Sequence, residues 1–244
     1  MQIPASHPSV AWLLSCWQGI AQAEGDLPVI HRWLLVHPPQ APLDQLLSAL
    51  PVAAAAWLQA YPANPGLATR VMATFGTVMQ QCPLTDPVAQ IELAIAVYSL
   101  TLDHITPTAD PSDWATTINN LATAYRHRRQ GNRADNLEKA IHLYRQARAI
   151  QTPDNTLWPV TLTGLGMAYE QRTIGDPDEN LEQAIAAYEQ ALPMIPANTP
   201  AWSWVLNRLA AAYSDRQRGD RQTNITMAIK TYQQALVGSA VRPT

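Results

Sequence analysis

The stretch 114–147, WATTINNLATAYRHRRQGNRADNLEKAIHLYRQA, decides the reading of the whole chain, because it recurs twice downstream. Trp114, Leu121, Ala124, Tyr125, Arg128, Gly131, Asn136, Ala140, Ile141, Tyr144 and Ala147 return 44 residues later as Trp158, Leu165, Ala168, Tyr169, Arg172, Gly175, Asn180, Ala184, Ile185, Tyr188 and Ala191. They return again as Trp202, Leu209, Ala212, Tyr213, Arg216, Gly219, Asn224, Ala228, Ile229, Tyr232 and Ala235. A fixed period of this length is the mark of a repeat array.

Each repeat reads as two helices. Trp114, Ile118, Leu121 and Tyr125 are spaced by four, three and four, which places them on one face of a helix A. Leu137, Ala140, Ile141, Tyr144 and Ala147 form a second stripe, on helix B. Small residues at 122, 166 and 210 allow the two helices to come close. Gly131 is expected to end helix A in a left-handed conformation. Asp135 or Asn136 is expected to cap helix B, with Asp135 and Glu138 forming a capping box. Pro153 and Pro159, then Pro196 and Pro200, punctuate the links between repeats. One hairpin cannot bury both stripes, so hairpins must stack.

The segments INNLATAY, LTGLGMAY and VLNRLAAAY, followed by NLEKAIHLYRQA and NLEQAIAAYEQA, resemble the two helices of a tetratricopeptide repeat. The usual period is about 34 residues; the extra length here lies mostly in RHRRQGNRADN and in the inter-repeat link. That longer form resembles a group of bacterial, largely cyanobacterial, repeat proteins that often stand before a caspase-like CHAT domain. The resemblance covers roughly residues 66–238 and implies an all-α, right-handed superhelical solenoid that binds a protein or peptide in its concave groove. Narrower roles that it suggests are an assembly factor for a membrane (photosynthetic) complex and a regulatory module of a separately encoded CHAT-type peptidase.

Residues 65–110 read as a degenerate repeat ahead of those at 111–154, 155–198 and 199–238. IELAIAVYSL matches LEKAIHLYRQ at an offset of 46, which puts Phe75 where Leu121 stands and Met79 where Tyr125 stands. Its A–B linker, with Cys82, lacks the glycine. Residues 1–64 lack the signature and are read as an amino-terminal helical cap, the alternative being a separate small domain. Helices are expected over 8–23, from Leu27 to His37, and from Leu43 until Pro51 breaks or kinks the chain.

Composition narrows the function. The net charge is −3, with 47% hydrophobic residues. Neither half is basic enough to suggest nucleic acid. No apolar run reaches the ~18 residues of a membrane span, and the amino terminus makes a poor signal peptide, so a cytoplasmic protein is expected. Cys16 and Cys82 form no zinc or redox motif, and the six histidines are scattered. No phosphate loop, nucleophile elbow or metal signature is present. The expectation is a non-catalytic chain with no cofactor and no metal.

Arg128, Arg172 and Arg216 recur near the end of helix A. Guanidinium bonds to helix-end carbonyls or to the next linker are expected, with an anion-binding ladder as the alternative. The recurring tryptophans are read as packing, with an aromatic ligand shelf as the alternative. Partner contacts are sought at positions that do not repeat. Mapped through Leu121, the groove faces of helix A hold Arg70, Gln80 and Gln81; Asn119, Thr123, Arg126 and His127; Thr163, Met167, Glu170 and Gln171; and Trp204, Asn207 and Asp215. This face is mixed and weakly charged. It lacks the lysine-rich clamp with which chaperone-binding tetratricopeptide proteins hold an acidic carboxy terminus. Met167 and Trp204 favour binding, since a solvated groove has little use for them. Finally, Ile225, Met227, Ala228, Ile229 and Tyr232 on the last helix B stand with no further hairpin to cover them. Self-association or a donated helix is expected there.

Overall fold

A computed structural model of the chain describes residues 4–24, 26–81, 86–152 and 155–240, the last four as backbone alone. Cys82 and Pro153 lie outside the described residues. Every regular element among those described is helical. They are α1 (Pro8–Gln22), α2 (Leu27–Val36), α3 (Leu43–Ala60), α4 (Pro65–Gln81), α5 (Pro87–Leu102), α6 (Pro111–His127), α7 (Arg133–Ile150), α8 (Trp158–Glu170), α9 (Pro177–Ala191), α10 (Pro200–Asp215) and α11 (Arg221–Ala240), with one 3-10 turn at Leu192–Met194. The chain divides into two compact units, Met1–Gly131 and Asn132–Thr244. The division falls between the two helices of the repeat at 111–154.

In the first unit α4 and α5 form a hairpin, α6 packs on α5, and α1 and α3 pack against α4 and α5. Aromatic residues anchor the amino-terminal helices. The Trp17 ring lies 6.0 Å from that of Trp57 and 6.2 Å from that of Phe75. The indole N–H of Trp57 donates to the Ala68 carbonyl at 3.2 Å. Of the break or kink expected at Pro51, the break does not occur: α3 runs through it as a single helix. Proline removes one helical donor and crowds the preceding turn. Burial of Leu46, Ala49 and Leu50 before it, and of Ala53, Ala54 and Trp57 after it, keeps both halves on one core-facing stripe. Pro51 itself is exposed.

The second unit contains the hairpins α8–α9 and α10–α11, with α7 packed on α8 and α9 on α10. The hairpin α8–α9, like α4–α5 in the first unit, closes around a tyrosine of helix B. A Cβ on Gly166 would stand 2.6 Å from the Tyr188 ring, and one on Gly76 of the first unit 2.6 Å from the Tyr98 ring. Glycine is therefore required by the close approach of helix A to the ring, not by backbone freedom.

The A–B connections depart from the expected capping. Gly131, Gly175 and Gly219 do have positive φ, of 75°, 85° and 80°. They do not directly end helix A, which stops at His127 in the first of these repeats. They turn the chain into the cap of helix B, which is the residue that follows. Asn132 Oδ1 accepts from the Ala134 amide at 2.8 Å, Asp176 Oδ1 from Asp178 at 3.0 Å and Asp220 Oδ2 from Thr223 at 2.7 Å. Asp86 does the same for α5. Asp135 and Asn136 lie inside the first turn of α7 instead. The recurring asparagine has another job. Buried Asn180 donates back to the Ile174 carbonyl at 3.0 Å, and Asn224 to the Arg218 carbonyl at 2.9 Å, so each pins its own connection.

The recurring arginines likewise find partners other than the expected carbonyls. Arg128 is bidentate to Glu92, with both bonds at 2.8 Å. Arg172 grips Glu138 at 2.5 and 3.0 Å, and Arg216 grips Glu182 at 2.7 and 2.8 Å. Each pair ties the end of a helix A to helix B of the preceding repeat. Parallel fork-to-carboxylate bonds fix geometry as well as adding energy. The hydrogen bonds to these carboxylates, with their charge, raise all three arginines above their usual pKa against the opposing effect of burial.

Candidate functional site

The residues sought as partner contacts fall into two groups, one in each unit. In the first unit they lie on α4 and α6. Arg70 is exposed and pairs with Asp113 at 3.2 Å. Gln80 Nε2 donates to the Tyr98 hydroxyl at 2.9 Å and to the Asn120 carbonyl at 3.2 Å. The Tyr98 hydroxyl is also 3.1 Å from Thr77 Oγ1, which accepts from Asn120 Nδ2 at 3.3 Å. Thr77, Asn120, Arg70, Asp113 and Thr116 line a cleft of about 180 Å³. It is floored by Ala73 and Ile105 and carries an uncharged amide and hydroxyl network beside one ion pair.

Two of the expected contacts are not available there. Asn119 is 2% exposed and Arg126 is 6% exposed. The open stripe of α6 runs Thr116, Asn120, Thr123 and His127. Each residue advances about 100° around a helix, so 119 and 126 point one step round, into the packed side. Thr123, half-buried, donates to the Asn119 carbonyl, and His127 is exposed at the end of α6. Gln81 is exposed at the end of α4. Asn120 was missed by the sequence reading: in the pair Asn119-Asn120 the register decides which one is buried, and only packing sets it.

In the second unit the same repeat positions hold charge. Glu170 on α8 forms an ion pair with Arg208 on α10. The Arg208 guanidinium lies 5.9 Å from the Trp204 ring centroid, over its face. Burial works against the Arg208 charge, but the hydrogen bond and charge of Glu170 outweigh it and its pKa is raised. The Tyr188 phenol beside this pair is pushed up, first by burial and then by the Glu170 charge. Trp204 remains 41% exposed. Glu170, Arg208, Ala211 and Asp215, with Asp178 and Gln217, line a cleft of about 470 Å³. Met167 and Thr163 are half-buried on α8, and Asn207 is exposed on α10. Gln171 accepts from Arg133 Nη2 at 2.7 Å. Arg208 was not among the expected residues, although its position four residues after Trp204 places both on one helix face.

Among the described residues no group of three His, Cys, Asp or Glu side chains is arranged to hold a metal. No helix described is long and apolar enough to cross a membrane.

No family model matches the sequence, and no curated protein does. Solved structures do match. The crystal structure of MamA aligns with a TM-score of 0.51 at 17% identity, over 80% of this chain and 90% of that one. A Podosopora anserina chain described as a kinesin light chain with nearly identical TPR-like repeats aligns at 0.48 and 15% identity, over 96% and 97%. With the repeated hairpins above, the fold is that of an all-α tetratricopeptide-like repeat protein.

Proposed function

We propose that this chain is a non-catalytic protein-binding scaffold whose helix A faces hold a protein or peptide. The observation that carries this reading is Trp204: a large aromatic ring held in the open, stacked under an arginine that is itself fixed by Glu170. Exposed, immobilised Trp and Arg side chains are the residue types that dominate binding energy at protein interfaces. Around them Met167, Thr163, Gln171, Asn207 and Asp215 supply a mixed rim. In the first unit Arg70, Gln80, Gln81, Thr123 and His127 form a more polar face. Asn119 and Arg126 are left out because they are buried. Helices α1–α3 serve as the amino-terminal cap of the array, and the protein acts in the cytoplasm without a cofactor.

Selection of a peptide library on the immobilised full chain tests the proposal. Peptides sharing a common sequence should be enriched, and Trp204→Ala should weaken them about tenfold while the helical signal and melting temperature stay put. A library with no enrichment, or binding indifferent to Trp204→Ala, counts against it. Recovery of subunits of a photosynthetic membrane complex in a pull-down would narrow the role to assembly. Recovery of a CHAT-type peptidase would narrow it to regulation.

A further inference from the structure

The cleft between α4 and α6 is lined by Thr69, Thr74, Thr77, Thr116 and Thr117, together with Asn120. Most of these hydroxyls spend their proton on their own helix. Thr69 donates to the Gly66 carbonyl at 3.1 Å, Thr77 to the Ala73 carbonyl at 3.3 Å, Thr116 to the Ser112 carbonyl at 2.8 Å and Thr117 to the Asp113 carbonyl at 2.7 Å. A hydroxyl has one proton and two lone pairs, so what remains for the cleft is acceptor capacity. The lone pairs of Thr77 are engaged by Asn120 Nδ2 and the Tyr98 hydroxyl. Those of Thr69, Thr116 and Thr117 take no hydrogen bond among the described residues.

Donors are fewer. The Thr74 hydroxyl makes no hydrogen bond among the described residues, and Asn120 has a second N–H beyond the one it gives to Thr77. The two charged residues of the cleft, Arg70 and Asp113, pair with one another at 3.2 Å. This inventory selects among side chains. A carboxylate would face oxygen lone pairs, with Arg70 already committed to Asp113. A cation would find Asp113 committed and would lose hydration among neutral groups. An aliphatic side chain would leave the acceptors unpaired. A primary carboxamide answers the whole set: its two N–H groups suit the threonine oxygens, and its carbonyl suits Thr74 and Asn120. The volume, about 180 Å³, is below the ~300–1,000 Å³ of a small-molecule site, so it holds a side chain rather than a free ligand.

We propose that this cleft is a subsite for a carboxamide side chain, glutamine or asparagine, of a bound peptide. It rests on the reading of the helix A faces as the peptide-binding side, and it names what the first unit selects there. Ala73 and Ile105 take the aliphatic stem while the hydroxyls and Asn120 take the amide. A site built from hydrogen-bonding groups rejects a ligand that leaves them unpaired. The subsite belongs to the first unit alone, because the equivalents of Thr116 and Asn120 in the second are Val160 and Gly164, then Trp204 and Arg208.

Titration of the full chain with N-acetyl-glutamine methylamide, followed by NMR at threonine methyls and side-chain amides, tests the cleft without a peptide partner. Its failure is therefore distinct from a failed peptide selection. Saturable shifts are expected at Thr74, Thr116 and Asn120. The capped glutamate, lysine and leucine analogues should bind at least about tenfold more weakly. Thr74→Val and Thr116→Val, which keep side-chain shape and remove one hydroxyl, should each weaken the glutamine probe about fivefold. Circular dichroism melts of both should match wild type. Trp204→Ala should leave the titration unchanged, which separates this subsite from the second unit's face. No saturable shift, shifts confined to residues outside the cleft, equal binding of glutamine and its analogues, or binding indifferent to both valine variants overturns the proposal.

Discussion

The two units set the same repeat positions to different chemistry. In the first, Gln80, Thr77 and Asn120 gather around the Tyr98 hydroxyl through neutral hydrogen bonds. In the second, the equivalents of those three residues are Glu170, Met167 and Arg208, and the tyrosine is Tyr188. A side chain at position 80 or 170 reaches the next helix A in both cases, once to a carbonyl and once to a guanidinium. Thr116 becomes Trp204. What does not change is the frame: glycine beneath the tyrosine ring in Gly76 and Gly166, and the bidentate Arg–Glu pair. The repeat thus separates framework from surface. Positions that set the helix spacing are held, while those one step round helix A vary in charge and size.

The largest effect is expected where the frame is tightest. Gly76→Val and Gly166→Val each drive a branched side chain into a tyrosine ring that a bare Cβ would already meet at 2.6 Å. Each should destabilise its own unit by about 3 kcal/mol, read by urea denaturation. Equal losses would confirm a shared frame; a loss at one glycine alone would break the comparison.

Next are the clamps. Arg128→Ala leaves Glu92, whose side chain is 11% exposed, without its fork; Arg216→Ala leaves Glu182, at 18%. Losses of about 1–2 kcal/mol are expected. Arg172→Ala should cost less, because Glu138 is 37% exposed and remains hydrated. Double-mutant cycles with the partner glutamates measure each coupling, and equal couplings at all three would contradict the burial argument.

Exchanging the variable positions sharpens the comparison from the other side. Gln80→Glu with Asn120→Arg, or Glu170→Gln with Arg208→Asn, should change stability by less than about 1 kcal/mol while altering which peptides bind. If either pair unfolds its unit, these residues belong to the frame after all.

The smallest effect concerns Asp220, the cap of α11. Its carboxylate accepts from the Thr223 hydroxyl and amide, which hold it below the usual carboxylate pKa. A depressed folded-state pKa gives a contribution that is present above the unfolded value of about 3.9 and lost as pH falls through the folded one. Wild type and Asp220→Asn should therefore converge in stability in acid and differ slightly at neutral pH. A constant difference across that range would remove the carboxylate from the account.

Much of the fold was legible because a repeat states its own rules. The 44-residue recurrence of Leu121, Tyr125, Gly131, Ala140 and Tyr144 marked hairpins, and helical spacing marked their inner stripes. The recurrence marks Gly131 as left-handed, but positive φ says nothing about which helix the turn serves, and the turn leads into the cap of helix B. The caps at 132, 176 and 220 also recur, but the nearby Asp135 and Glu138 carry the same capping pattern, so the sequence does not single out which residue caps helix B.

The candidate faces were only half legible. Arg70, Gln80, Met167, Glu170, Trp204 and Asp215 lie on open or half-open surface. Asn119 and Arg126 do not, and Asn120 and Arg208 take their place. By itself the sequence determined that this is an array of helical hairpins and which residues hold each hairpin shut, because those features depend on local periodicity and are repeated until they are unmistakable. Only the tertiary structure decided which side of helix A stays open and which carboxylate each recurring arginine grips. Those outcomes depend on a rotation of about 100° per residue and on partners that lie 34 or more positions away in the chain, where no local pattern reaches.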